Sequence, residues 1–291
     1  EVMSIQHIAV ARISSLPRRA SNSSSRITCL KSVLLVAFLG FALSSPGAEP
    51  PPRPEVQQSW LSKANRHEKA GWVYLHIEGA PYARGFQYGS LVAQDLKTFI
   101  TKLATSRNKD NPGAGWRDLR SQVDLLFMRK YETEFMEEMQ GIADGAKKEG
   151  VTLFDRPIEL LDIVTINSYI DLSYAWDAVR NTPHQLSGQR LKVPEEQLDL
   201  PERLHKCSSF LASASATADR RIVFGQLFMW GGYMGPEWDV IVDLLPEKGQ
   251  RLVYETFPGG IHSGADFYIN EDGIMIGETT VQQTPFDISG I

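Results

Sequence analysis

The sequence predicts an α+β fold in which helices come first and an antiparallel sheet follows. Apolar residues recur at helical spacing through the first half of the chain. After Cys207 the character changes to short β-rich runs that are separated by turn residues. Helices that are segregated along the chain from closely spaced strands are typical of the α+β class.

Residues 49–180 are predicted to be the mainly helical part of the domain. A proline-rich spacer opens this part. Three helices are then expected, at residues 79–103, 116–149 and 157–176. The second helix is expected to be broken near Gly141 and Gly145, and the third is expected to start at Pro157, because proline is favoured in a first helical turn.

Short runs of alternating apolar and polar residues predict the strands. One strand is expected early, and the others follow Cys207: residues 72–77, 208–214, 221–228, 238–245, 252–257, 267–270 and 274–281. Glycine, proline and aspartate turn signals separate the later runs. The short turns indicate antiparallel hairpins, and residues 207–291 are therefore assigned as the β-rich part. Residues 181–206, which are polar and broken by prolines, are predicted to be a linker or pro-segment.

Residues 1–48 are predicted to be a secretory signal and the residues upstream of it. Basic residues from Arg18 to Lys31 precede an apolar run at residues 33–43, and small residues follow it. The run is too short to span a bilayer, and the order of regions is typical of a signal cut after Ser44. A membrane anchor or a buried helix is the alternative. We expect an exported protein without a stable membrane span, either secreted or periplasmic, or in a lysosome-like compartment if the source is eukaryotic.

Charge and motif content exclude several function classes. The formal net charge is -5 and the pI is near 5.7, whereas a nucleic-acid-binding protein needs a basic face. The sequence contains no phosphate-binding loop, no dinucleotide fingerprint and no zinc-spaced Cys/His cluster. We therefore expect no nucleic-acid partner, no metal and no organic cofactor.

Cys207 is the candidate nucleophile. Cys29 would leave with the signal, so the mature protein would keep one thiol at the junction of linker and strand. If the bond between Lys206 and Cys207 is cut, Cys207 gains a free α-amine with a pKa of roughly 7.7 to 8.0 beside its own thiol. One residue then supplies both nucleophile and base. The alternative is a small buried hydrophobe.

Several ordered blocks of sequence share a family pattern. They are Lys206-Cys207-Ser208-Ser209-Phe210, residues 256–261 (TFPGGI), residues 263–269 (SGADFYI) and residues 277–281 (GETTV). Together they resemble the phospholipase B-like family of N-terminal-nucleophile hydrolases, which is related to penicillin acyltransferases and bile-salt hydrolases. The similarity runs from about residue 79 to the end of the chain.

The resemblance implies a four-layer αββα sandwich, cleavage before Cys207 and hydrolysis of acyl ester or amide bonds, with a phospholipid as one candidate substrate. Thr280 falls where bile-salt hydrolases place an oxyanion-stabilising residue, and a hydroxyl there can donate one hydrogen bond. Asp266 is the remaining catalytic candidate, positioning the amine or substrate. Gln226 and Thr279 are the predicted substrate contacts. Taken alone, the run Glu278-Thr279-Thr280 is a weak signal that is more typical of a strand edge.

Two departures limit what can be carried over from the family. Gln226 stands where the family has His or Arg, and glutamine cannot take up a proton. The family also continues beyond the position of Ile291 and brings an Asn and an Arg to the site, so we expect this chain to be truncated at its C-terminus.

Two alternative functions and one structural alternative stay open at the level of sequence. An acyl-enzyme can pass its acyl group to an amine, so an N-acyl amidase or an acyltransferase is one alternative. A non-catalytic secreted lipid-binding protein on the same scaffold is another, and the Gln226 replacement favours it. Four aromatic residues line either an acyl pocket or the core: Phe228, Trp230, Tyr233 and Trp238.

Overall fold

The fold is taken from a computed structural model that describes residues 52–181, 207–228 and 237–279. The predicted signal, most of the predicted linker, Trp230, Tyr233 and Thr280 lie outside these ranges. In the described part of the chain, no helix is both long and apolar enough to cross a bilayer.

Seven α-helices occur in the described residues: α1 (Pro54–Leu61), α2 (Pro81–Leu91), α3 (Ala93–Arg107), α4 (Pro112–Leu126), α5 (Thr133–Lys148), α6 (Leu160–Asn167) and α7 (Tyr169–Asn181). Proline occupies the first turn of α1, α2 and α4, where its missing N–H costs nothing. Helices were predicted in residues 49–180, but α1 was not among them, since the expected proline-rich spacer ends at the first residue of this helix.

The predicted helix at residues 116–149 is wrong as a single element. It is divided into α4 and α5 by residues 127–132, and not at Gly141 and Gly145, which lie inside α5. Phe127, Met128 and Tyr131 in the interruption pack against the core. Tertiary packing therefore places the break, and the two glycines serve the contact between α5 and α2 instead.

The predicted helix start at Pro157 is also wrong. Pro157 lies in the short strand β4 (Arg156–Pro157), which pairs with β3 (Thr152–Leu153). Helix α6 begins three residues later, where the Asp162 carboxylate accepts a hydrogen bond from the Glu159 N–H at 2.8 Å. This side-chain cap, and not the proline, sets the start of the helix.

One six-stranded sheet forms the centre of the fold, in the order β1-β2-β7-β8-β9-β10. Its strands are β1 (Asn65–Lys69), β2 (Trp72–Gly79), β7 (Val240–Pro246), β8 (Leu252–Thr256), β9 (Phe267–Asn270) and β10 (Met275–Gly277). The pairing is antiparallel except between β2 and β7, which run parallel. A second sheet pairs β5 (Ser208–Ala212) with β6 (Val223–Leu227). The alternation of the sequence located all of these strands except the polar, mostly exposed β1.

The helices cover one face of the six-stranded sheet. Alternate residues of β2 and β7, such as Leu75, Ile77 and Val242, are buried in the helix-side core. Across the sheet, Phe224 of β6 packs against Phe267 of β9 in a smaller cluster. The described residues thus form a helix layer, a sheet and a small second sheet, which is an α+β arrangement with mainly antiparallel pairing. The four-layer αββα sandwich stays a prediction.

Candidate active site

Cys207 lies directly before β5 and is half-buried. The antiparallel register pairs Ser209 with Gln226 and Ser208 with Leu227. Because side chains alternate along a strand, Cys207, Ser209 and Gln226 share one face of the two-stranded sheet. On that face Phe224 and Gln226 of β6 are buried, whereas Ser209 and Leu211 of β5 are exposed. The Cys207 side chain packs against the main core.

The thiol of Cys207 meets Asp266, one of the residues that the sequence predicted for the site. The Sγ atom donates to Oδ2 of Asp266 at 3.8 Å, although the two residues are 59 positions apart in the chain. Asp266 lies in the connection from β8 to β9 and has a φ of +61°. Aspartate adopts this left-handed region more readily than most residues do. The fold thus brings together two of the predicted catalytic residues.

A serine holds the loop that carries Asp266. The hydroxyl of Ser263 accepts hydrogen bonds from the backbone N–H groups of Ala265 (3.2 Å) and Phe267 (2.9 Å), one on each side of Asp266. The same hydroxyl donates to the carbonyl oxygen of Glu255 on β8 at 3.1 Å. Because Ser263 is buried, these bonds are shielded from water. They fix the position of the Asp266 carboxyl group relative to the sheet.

Burial raises the pKa of Asp266 to about 7, and the negative charge of the neighbouring Glu278 adds to that rise. The hydrogen bond from the Cys207 thiol lowers the pKa and is outweighed. A carboxyl group with such a pKa exchanges protons close to neutral pH, which suits a group that works as an acid or a base. Perturbed carboxyl groups of this kind are found preferentially at functional sites.

Glu278 is a member of the site that sequence reasoning missed. Its negative charge raises the pKa of the Asp266 carboxyl group, and its backbone N–H donates to the Asp266 carbonyl oxygen at 3.2 Å. The sequence signal was present in the run Glu278-Thr279-Thr280, but its strand-edge composition gave no reason to prefer the glutamate. Only the pairing of β9 with β10, which sets Gly277 opposite Phe267, brings Glu278 next to Asp266.

Gln226 reaches the same cluster from β6. It is 1% exposed, and its Nε2 group donates to the carbonyl oxygen of Glu278 at 2.8 Å. Its Oε1 atom is buried without a hydrogen-bond partner among the described residues. A buried amide oxygen in this state costs free energy unless a donor reaches it. The proposed contact of Gln226 with substrate stays a prediction, and the structure adds a contact with the backbone of Glu278.

The remaining predicted site residues are placed as follows. Thr279 directly follows Glu278 and is exposed, and its predicted substrate contact stays a prediction. Thr280 lies outside the described residues. Phe228 and Trp238 are buried and stack on each other with ring centroids 4.9 Å apart. Trp238 also packs against Phe257, at 5.7 Å, so both rings belong to the main core.

Comparison with known proteins gives little guidance on activity. No family model matches the chain. A relative from Archaeoglobus fulgidus, itself an uncharacterized protein, is 28% identical over 214 residues, which cover 71% of this chain and 32% of the relative. The chain thus spans about a third of the length of that relative. The similarity indicates a distant relationship and carries no substrate, partner or activity with it.

Proposed function

We propose that this chain is an exported cysteine hydrolase of the N-terminal-nucleophile type, similar to the phospholipase B-like family, that cleaves acyl ester or amide bonds. The observation that carries the proposal is the contact between the Cys207 thiol and the Asp266 carboxyl group at the start of β5. A cysteine with a purely structural role would need neither a titrating carboxyl partner nor a place at the end of a predicted linker.

The proposed reaction begins once the bond before Cys207 has been cut. The thiol of Cys207 gives its proton to its own α-amine, and Sγ attacks the acyl carbonyl carbon. The tetrahedral intermediate collapses as the leaving alcohol or amine takes that proton, and an acyl-thioester remains. Water then attacks the thioester, releases the acid and restores the thiol. Asp266 keeps the nucleophile in position, and Thr280 with backbone amides is the proposed oxyanion donor.

Intact mass and N-terminal sequencing of the purified protein test the first step. We expect a fragment that begins at Cys207 in the wild type and no such fragment in Cys207→Ala. Ser208→Ala is the matched control, because this adjacent side chain is exposed on the other face of β5, and it should be cut like the wild type. A wild-type chain that folds stably and stays uncut would refute the N-terminal-nucleophile mechanism.

The substrate class is tested separately on the processed protein. Phosphatidylcholine vesicles and an N-acyl amino acid amide are offered in parallel, and released fatty acid is measured. Either an ester or an amide preference agrees with the proposal, provided that Cys207→Ala abolishes release and Ser208→Ala keeps it. Lipid binding without acyl release in the processed wild type would instead favour the non-catalytic scaffold.

A further inference from the structure

Strands β8 and β9 stop pairing just short of the loop that carries Asp266. In an antiparallel ladder every second pair of residues is hydrogen-bonded. The N–H of Glu271 donates to the carbonyl oxygen of Arg251 at 3.1 Å, which fixes the hydrogen-bonded pairs of these two strands. Counted in steps of two from that pair, the N–H of Phe267 would donate to the carbonyl oxygen of Glu255. The observed pairing ends one position before this bond.

The hydroxyl group of Ser263 takes the place of that ladder bond. It accepts the N–H of Phe267 at 2.9 Å and donates to the carbonyl oxygen of Glu255 at 3.1 Å. Because an oxygen atom bridges the two backbone groups, the strands part here while both groups stay hydrogen-bonded. Ser263 is itself buried, and its N–H donates to the hydroxyl of Tyr268 at 2.7 Å.

This bridge holds the backbone on both sides of Asp266. The same hydroxyl also accepts the N–H of Ala265 at 3.2 Å, so both neighbours of Asp266 are bound to one oxygen atom. Between them, Asp266 has a φ of +61°. Its Oδ2 accepts the Cys207 thiol at 3.8 Å, which is a long hydrogen bond even for sulfur. A small movement of the loop would therefore break the contact with the thiol.

We propose that Ser263 is a positioning residue, whose hydroxyl replaces the last hydrogen bond between β8 and β9 and thereby holds the Asp266 carboxyl group beside the Cys207 thiol. This inference rests on the proposed function, in which Asp266 keeps the nucleophile in position. Ser263 acts through Asp266 and has no chemical step of its own.

The charge of Asp266 makes the contact measurable. A carboxylate that accepts the S–H group also repels a thiolate, so an ionised Asp266 favours the protonated form of Cys207. The pKa of Asp266 is about 7, and the group is therefore mostly ionised at pH 8. Glu278 raises that pKa by its negative charge, and Asp266 in turn raises the pKa of Tyr268. Both groups stay in every variant below, so they do not cause the differences between variants.

The test is the rate at which iodoacetamide alkylates Cys207 at pH 8, measured by mass spectrometry on the full chain. Digestion with a glutamate-specific protease separates peptides that begin at Cys207 from those that still carry the preceding residues, so the uncut chain is followed by itself. Loss of a neighbouring carboxylate gives about tenfold more thiolate, and the more acidic thiol is the weaker nucleophile by about threefold. We expect Ser263→Ala and Asp266→Asn each to react about threefold faster than the wild type.

The double variant separates positioning from general loosening. Ser263→Ala combined with Asp266→Asn should react no faster than Asp266→Asn alone, because Ser263 acts through Asp266. Asparagine tolerates the left-handed φ at this position. Ser263→Thr keeps the hydroxyl group and should react at the wild-type rate. Ser173→Ala is the matched control, since Ser173 is a buried serine of α7 whose hydroxyl also donates to a backbone carbonyl, and it too should keep the wild-type rate.

Amide hydrogen exchange on the wild type tests the bridge without any variant. The N–H groups of Ala265 and Phe267 should exchange as slowly as those of the paired strands, because both are bound to the buried hydroxyl. Exchange as fast as in an exposed loop would overturn the inference, even if Ser263→Ala failed to fold. Circular dichroism melting shows which variants are folded.

The outcomes are distinct from those of the cleavage assay. A wild-type rate in Ser263→Ala or in Asp266→Asn, or a further acceleration in the double variant, would overturn the role of Ser263. Each rate is obtained on the uncut chain, whether or not a fragment beginning at Cys207 is ever formed. Failure of the proposed function appears instead as a wild type that stays uncut, so the two failures are told apart.

Discussion

The contact between α2 and α5 gives the sharpest stability prediction. Gly89 of α2 lies so close to Ile142 of α5 that a Cβ atom there would be 2.7 Å from the carbonyl carbon and 2.8 Å from the Cα, and nearer still to the carbonyl oxygen. Gly85, Gly141 and Gly145 make equally close approaches along the same interface. We predict that Gly89→Ala forces the two helices apart.

The size of the effect follows from the distances. Ordinary contact begins at 3.4 Å, so the Cα at 2.8 Å must retreat by at least 0.6 Å, and its neighbours are backbone atoms that cannot rotate away. Overpacking of a core costs about 1–3 kcal/mol, and the better helix propensity of alanine returns up to about 1 kcal/mol. The net expectation is a loss of about 1–2 kcal/mol, which lowers Tm by about 2–8 °C in a domain of this size.

The assay is thermal and urea unfolding, followed by circular dichroism, with every variant made in a Cys207→Ala background to prevent processing. Gly113→Ala is the matched control, because it is also a helical glycine but its Cβ would be 3.4 Å from the nearest atom, on the Phe154 ring. The control should match or exceed the parent in stability. If Gly89→Ala were as stable as Gly113→Ala, the close approach of the two helices would be refuted.

Two further predictions concern charged groups. Arg84 and Glu138 form an ion pair at side-chain exposures of 5% and 3%. Arg84→Met alone should lower the free energy of unfolding by about 3–5 kcal/mol, because it leaves a buried charge unpaired, while the double change Arg84→Met with Glu138→Leu should cost much less. Equal losses of stability in urea unfolding would contradict this. Burial raises the pKa of Asp266 to about 7, so the folded state holds this proton more tightly than the unfolded chain does. Its stabilising contribution is therefore full below the ordinary carboxyl pKa and is lost as pH rises through about 7. Asp266→Asn should flatten that part of the urea-midpoint profile, and an unchanged profile would argue against it.

Local patterns predicted elements where burial on one face decides the structure. Strands β7, β8 and β9 show alternating or continuous apolar runs because one face of each packs on the helices. Strand β1 has no such run, since it is a polar edge strand that is held by backbone pairing with β2. The helix boundaries depended on tertiary packing at residues 127–132 and on a side-chain cap at α6, and neither has a strong local signature.

The candidate site was only partly predictable for a related reason. Cys207 stands out by its place at the end of the linker, and Asp266 was selected through the family pattern in residues 263–269. The partnership of Glu278 with Asp266 depends on the register of β9 with β10, which no local spacing reveals. The substrate contact of Gln226 came from the family pattern and stays a prediction, whereas its bond to the Glu278 carbonyl depends on how the two sheets pack.

The parallel pairing of β2 with β7 determines how the two fragments would behave after a cut before Cys207. The central sheet combines strands from both sides of the linker. Residues Val73–Gly79 of β2 pair with Val240–Pro246 of β7 at seven positions. A cut before Cys207 would therefore produce two chains that remain one particle, since neither piece carries a complete sheet. The pairing would form more readily in the uncut chain, because the linker keeps the two strands at a high effective concentration. The two fragments would then co-elute without a covalent link, and separation by denaturant would be hard to reverse.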